Sequence, residues 1–308
     1  VTADNLIALG STSVGLAVPL IYASVGEIIV EKSGVINVGI EGMMLVGAFT
    51  AYAVSLLTQN AFLGLGAAVA ASILFALIFA LLCIVFRANQ VVVGTAVNIL
   101  ALGLTGVLYT ALGKTSIMHH SAPSFRGLPI PFFSHLPFVG HVLFSQDIIA
   151  DTSILAVILT SLFLGRTLAG LRLRACGEYP EAADAAGVNV NRVRLAALAF
   201  GGAMAGVAGA HMSIAYTVSF VQGMTNGNGF IALAVVIVGR WKPGGALLAA
   251  LLFGLANALQ FDLQAVGSHI PYQLVLALPY IATLAALVLN LKRFDAAPSM
   301  LGAAYERS

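Results

Sequence analysis

Side chains able to do chemistry are few in this chain and unevenly placed. The stretch Gly177-Glu178-Tyr179-Pro180-Glu181-Ala182-Ala183-Asp184-Ala185-Ala186-Gly187 holds three of the twelve acids of a sequence that is 60% hydrophobic. No HExxH, no GxSxG and no cysteine set with zinc spacing occurs, so metal-assisted hydrolysis and the nucleophile-elbow chemistry lack their parts. Gly113-Lys114-Thr115 resembles the end of a phosphate loop, but the position that needs a glycine is Leu108, and no nucleotide site is expected there. Six histidines (His119, His120, His135, His141, His211 and His269) show no tight ligand spacing, and no metal is expected. The polar side chains left are amides and a few carboxylates, suited to binding and positioning.

The elements that must position them are membrane helices. A mean hydropathy of +1.00 and 8% charged residues exclude an ordinary soluble domain, of which about a quarter is charged. Continuous Leu/Ala/Val/Ile runs recur along the chain, and helices satisfy their own backbone in lipid. They lack the alternation of a membrane barrel. The expected fold is all-α, a polytopic bundle forming a single transmembrane domain over 1–308. About nine spans are expected, near 5–25, 39–58, 61–86, 90–112, 148–168, 193–217, 228–240, 244–262 and 271–291. One or two are broken or re-entrant: the seventh is short and follows GMTNGNGF, and 26–39 interrupts apolar sequence with Glu27, Glu31, Lys32 and Asn37. Gly202 and Gly206 form a small-xxx-small face. The two cysteines, Cys83 and Cys176, offer no disulfide framework. The first span lacks a basic leader and a cleavage site and is expected to be retained.

Placing the GEYPEAADAAG stretch inside puts twelve of the fourteen Lys and Arg on the cytoplasmic side, leaving Lys114 and Arg126 outside. Lys and Arg favour that side, so the N-terminus is expected outside and the C-terminus inside. An external insert of about 113–147 follows, rich in Pro and aromatics. Arg240-Trp241-Lys242-Pro243 is expected to anchor at the interface and separate two spans.

Within the cytoplasmic segment, about 170–192, Pro180 suits a first helical turn. Glu181 and Asp184 favour the positive end of a helix dipole, and Gly187 is a left-handed stop. Arg172, Arg174, Arg192 and Arg194 flank it as anchors. So short a helix barely forms alone in water, which favours a docking helix over a plain loop, with Glu181, Ala182 and Ala183 as the touching residues. In the spans, Thr95, Asn98, Leu102 and Thr105 make one stripe, and Phe253, Asn257, Gln260 and Gln264 another. Each serves either a solute pathway or interhelical hydrogen bonding. Asn37 and Glu41 in NVGIEG are pathway candidates; the Glu41 carboxylate, near the cytoplasmic start of the second span, would alternatively cap the helix, pair with Arg87 or Arg240, or carry a cation or proton. The half-helix start Asn226, Asn228 and Phe230 is a gate candidate. NVGIEG and GNGFIA are faintly alike on oppositely running spans.

The segments ACGEYPEAADAAGVNVNRVRLAALAFGGAMAGVAGA, GEIIVEKSGVINVGIEGMMLVGA and GMTNGNGFIALAVVIVGRWKPGGALLAALLFGLANALQ resemble, in that family's order, permeases of ATP-binding cassette importers of the branched-chain amino acid, sugar and nucleoside group, most closely the nucleoside type. Asn226 and Asn228 around Gly227 depart from closely related patterns. The resemblance implies a transport subunit and no enzyme. Glu178, Tyr179, Pro180, Glu181, Ala182, Ala183, Asp184 and Gly187 would couple to the ATPase. It also implies cytoplasmic ATP-binding subunits that carry ATP and Mg, so no cofactor is held by this chain. A second permease chain, identical or paralogous, and an external substrate-binding protein would complete the assembly in the bacterial inner membrane, among lipid and with no nucleic acid. The small polar solute is a nucleoside, with a simple sugar or a branched-chain amino acid as the alternative. A stand-alone secondary transporter would need intramembrane charges that the spans scarcely hold, and a membrane enzyme lacks a catalytic cluster.

Overall fold

Polar caps mark where the apolar runs begin to coil. The computed structural model describes residues 3–114, 123–125, 146–265, 281, 288 and 297–306, and every element among them is helical. The long helix α1 (Ala3–Lys32) and α2 (Ile40–Thr58) are followed by α3 (Ala61–Ala80), which continues as a π turn, Leu81–Val85. Asn60 starts α3 by accepting the Phe62 and Leu63 amides at 2.9 and 3.3 Å. Asn89 does the same for α4 (Gln90–Gly113), and Asp147 for α5 (Ile148–Arg166). Such caps each contribute about 1 kcal/mol. Two short helices, α6 (Leu168–Glu178) and α7 (Pro180–Ala185), lead to α8 (Val190–Ala210), which ends in a second π turn, His211–Tyr216. The 11-residue α9 (Asn228–Val238) and α10 (Pro243–Ala265) follow.

Seven of the described helices are long and apolar enough to cross a membrane, so the chain is a multi-pass membrane protein. The expected 228–240 span is the shorter α9. The ninth, 271–291, lies outside the described residues apart from helical positions 281 and 288. Most of the 113–147 insert also lies outside them, as do all the histidines except His211.

Helix α2 is the centre, packed on α3, α4 and α8, while α1 runs against α8, α9, α10 and α5. The Gly202–Gly206 face meets α3: a Cβ on Gly206 would sit 2.8 Å from the Ala68 carbonyl and 2.9 Å from Val69 Cα. The two backbones therefore touch as the small-residue pattern implies.

Two expectations need correction. Helix α1 does not stop near residue 25 but runs to Lys32, with Glu27 and Glu31 buried. The Asn37 N–H donates to Glu27 Oε1 at 2.9 Å, and Trp241 Nε1 donates to Glu31. Buried carboxylates are tolerated inside a helix once donors reach them, and these donors come from elsewhere in the chain. Trp241 is therefore turned inward and is no interfacial anchor; it and Arg240 take left-handed φ of 52° and 57° at the α9–α10 turn.

Candidate functional site

A cavity of about 480 Å³ opens beside the start of α9. Its walls come from Pro19 on α1, Tyr216 in the π turn of α8, Asn226 and Asn228 at the α9 start, and Asn257, Gln260, Phe261 and Gln264 on α10. The amides on α10 recur every three or four residues and so share one helical face. Phe253 from the same stripe is fully buried in the core instead. No charged side chain appears among the described lining residues. Tyr216 and Phe261 are about half exposed, at 44% and 51%, and show ring surface. Gln264 Nε2 is buried without an acceptor among the described residues.

The structure thus brings four of the expected pathway residues, Asn226, Asn228, Asn257 and Gln260, to one cavity. Phe230 is half exposed and does not line it. Asn98 joins backbones: its Oδ1 accepts the Gly42 N–H at 2.8 Å and its Nδ2 donates to the Val38 carbonyl at 2.9 Å. Asn37 is fully buried beside Glu27. Thr95 and Thr105 turn their hydroxyls back to the carbonyls of Val91 and Ala101, one turn earlier on α4.

Glu41 does cap a helix, but not its own. Its Oε1 accepts the Gly227 N–H at 2.9 Å and its Oε2 accepts the Gly229 N–H at 2.6 Å. Among the described ion pairs it has no arginine, and Arg87 pairs with Glu306 at 2.5 Å. Gly227 has φ +86°, and a Cβ on Gly229 would lie 2.6 Å from Glu41 Cα, so the carboxylate reaches these amides only across glycines. The two faintly similar segments, NVGIEG and GNGFIA, are in direct contact here.

On the α6–α7 side the break falls at Tyr179. Pro180 opens α7 and Gly187 follows it with φ +83°, as the cap residues imply. Tyr179 is 70% exposed, and Glu181 and Ala182 are exposed, whereas Pro180 and Ala183 are buried. Ala183 packs with Cys176, Val190 and Tyr305, so it supports α7 from behind rather than presenting itself to a partner. Burial pushes the Cys176 thiol up. Residues 297–306 form a strap that nothing in the sequence announced. The Ser299 N–H and hydroxyl donate to Glu178 Oε2 and to the Glu178 carbonyl, at 3.1 and 2.6 Å. Met300 N–H donates to the Gly177 carbonyl, and Gly302 N–H to that of Gly34. Arg194 is not an interfacial anchor either. It is 3% exposed and donates to the Ser33 and Ala303 carbonyls at 3.1 and 3.0 Å. Counting basic residues cannot distinguish an interface arginine from one that stitches backbones.

At the opposite end, Asp147 Oδ2 meets His211 Nε2 at 3.1 Å. Burial raises the Asp147 carboxyl, but the His211 contact and the α5 amides outweigh it and hold the group below its ordinary value. Among the described residues no three His, Cys, Asp or Glu side chains converge as a metal site.

Residues 11–287 match the protein family described as "Branched-chain amino acid transport system / permease component". The chain is 38% identical over 301 residues to the guanosine ABC transporter permease protein NupQ of Bacillus subtilis, covering 94% of this chain and 93% of that one. It is 36% identical over 321 residues to a putative glucose ABC transporter permease protein of Haloferax volcanii, covering 96% and 97%. It is 34% identical over 305 residues to the nucleoside ABC transporter permease protein NupC of Lactococcus lactis, covering 94% of both. No solved structure matches it.

Proposed function

The chain belongs to the family of branched-chain amino acid transport system permease components, and on that premise we propose that it forms the membrane pathway of an ATP-driven importer whose solute is a nucleoside. The uncharged, amide-lined cavity carries the choice of solute. A zwitterionic amino acid would bury a carboxylate and an ammonium there without opposite charges, which is costly. A nucleobase offers its edge to Asn and Gln amides, which pair with base edges, and its face to Tyr216 and Phe261, where stacking contributes about 1–3 kcal/mol. The volume lies within the range of small-molecule sites. The two relatives whose names state guanosine and nucleoside transport agree with this reading. A sugar is the second reading, because amides and one ring face also suit it and one relative carries a glucose name.

The exposed Tyr179, Glu181 and Ala182 form the surface on which a cytoplasmic ATP-binding subunit docks; ATP and Mg belong to that subunit. A second permease chain, identical or paralogous, and an external binding protein complete the assembly. The chain lies in a bacterial cytoplasmic membrane with its N-terminus outside and residues 297–306 inside, the side that gathers its basic residues. The test is uptake into proteoliposomes holding the complete complex. Labelled nucleoside should accumulate only with ATP, whereas leucine should not. Accumulation without the ATP-binding subunits would refute the importer reading, and uptake of leucine with no uptake of nucleoside would refute the solute.

A further inference from the structure

Two large apolar clusters hold most of the described helices. One gathers α2, α3, α4, most of the buried face of α8 and one face of α1 through Val18, Tyr22 and Val30; the other gathers the opposite face of α1, α10 and the far end of α9, through Val235 and Val236. The cavity amides Asn257 and Gln260 stand on the second body. Glu41 stands on the first, and its place there is fixed, because Asn98 of α4 holds the neighbouring Gly42 and Val38. The start of α9 is one place where the two bodies meet, since Ala232 packs in the first cluster and Val235 and Val236 in the second. It has no cap from its own side chains, and Glu41 supplies one from the other body. The two amides it holds, Gly227 and Gly229, alternate with Asn226 and Asn228, whose side chains line the cavity.

The type of group matters as much as its place. A carboxylate has two acceptor oxygens and carries the negative charge that a helix start favours. A carboxamide in the same place would offer one acceptor and turn its NH₂ towards an amide that also donates. A shorter carboxylate keeps the charge but loses reach. The side chain thus grips the half-helix at two points, beside the two asparagines.

We propose that Glu41 is the positioning residue that ties the start of α9 to the α2 body and so holds the Asn226 and Asn228 amides at the solute cavity, making transport depend on its two-point contact. The proposal rests on the cavity being the solute pathway, and the test separates the two. The complete complex, with ATP-binding subunits and binding protein, is reconstituted in proteoliposomes with Glu41→Gln, Glu41→Asp or Asn257→Ala. Initial uptake is measured against nucleoside concentration, in parallel with ATP hydrolysis and thermal unfolding of the purified complex. Glu41→Gln is expected to lower nucleoside carried per ATP hydrolysed at least tenfold while hydrolysis stays within twofold, and Glu41→Asp to recover part of the loss. Asn257→Ala is expected to raise the KM for uptake. Wild-type uptake per ATP in Glu41→Gln would overturn the tie. So would a parallel fall of uptake, hydrolysis and melting temperature in both Glu41 variants, which marks a mere brace. An unchanged KM in Asn257→Ala beside an uncoupled Glu41→Gln would remove the cavity as pathway and, with it, the stated purpose of the tie.

Discussion

Replacing Tyr305 by Ala tests whether the strap holds α7 in shape. Tyr305 is 8% exposed and closes a four-residue apolar cluster over Cys176, Ala183 and Val190. An aromatic side chain buries roughly 150–250 Å², which at about 25 cal/mol per Å² sets an upper bound near 4–6 kcal/mol. So small a cluster relaxes in part, and about 3 kcal/mol is the expected loss, the lower end of aromatic truncations. At 1.4 kcal/mol per tenfold change, the open fraction of α7 then rises roughly a hundredfold. The Ala183 N–H bonded to Tyr179 and the Val188 N–H bonded to Ala183 should exchange with deuterium faster by about that factor. The amides at the centre of α2 should keep their protection. Unchanged exchange at Ala183 and Val188 in a folded Tyr305→Ala protein would refute the bracing argument.

Three further outcomes follow from the geometry. Because the folded Asp147 carboxyl lies below its ordinary 3.8, it adds stability above that value and loses it as pH falls through the folded value. His211→Gln should therefore move the acid loss of thermal stability to higher pH, read from melting curves in detergent. Gly206→Val must push α8 from α3 and should cost about 1–3 kcal/mol or more, seen as a lower melting temperature. Asn98→Leu leaves the Gly42 N–H and Val38 carbonyl without their partner, at about 1–3 kcal/mol each when buried, seen as a lower melting temperature.

Helix positions were legible wherever an apolar run ended in a local signal. Asn60, Asn89 and Asp147 mark starts, and Pro180 and Gly187 bracket α7, because the chemistry that stops a helix sits beside it in sequence. What spacing could not tell was which neighbour a polar face meets. The α10 stripe turns Asn257, Gln260 and Gln264 to the cavity, whereas the equally regular α4 stripe sends Asn98 to the backbone just before α2 and in its first turn. Glu27 and Glu31 read as a break because the groups that donate to them are Asn37 and the distant Trp241. Glu41 caps a helix 186 residues away. Arg194 reads as an interface charge, yet it is enclosed by the Ser33 and Ala303 carbonyls of two separate segments. Each failure has one cause: burial makes a polar residue acceptable only through a partner that the local sequence does not contain.

The strap also sets an order of events during synthesis. Ser299 lies 121 residues after the Glu178 it holds. At about 5–20 residues per second, a ribosome takes roughly 6–24 s to travel between them. Through that interval α8, α9 and α10 emerge while α7 still lacks Tyr305 behind it and Ser299 across its end. A cytoplasmic subunit that needs α7 braced finds a finished surface only after the last of these residues is made. If α7 is the proposed docking helix, docking waits until α8, α9 and α10 have already been synthesised.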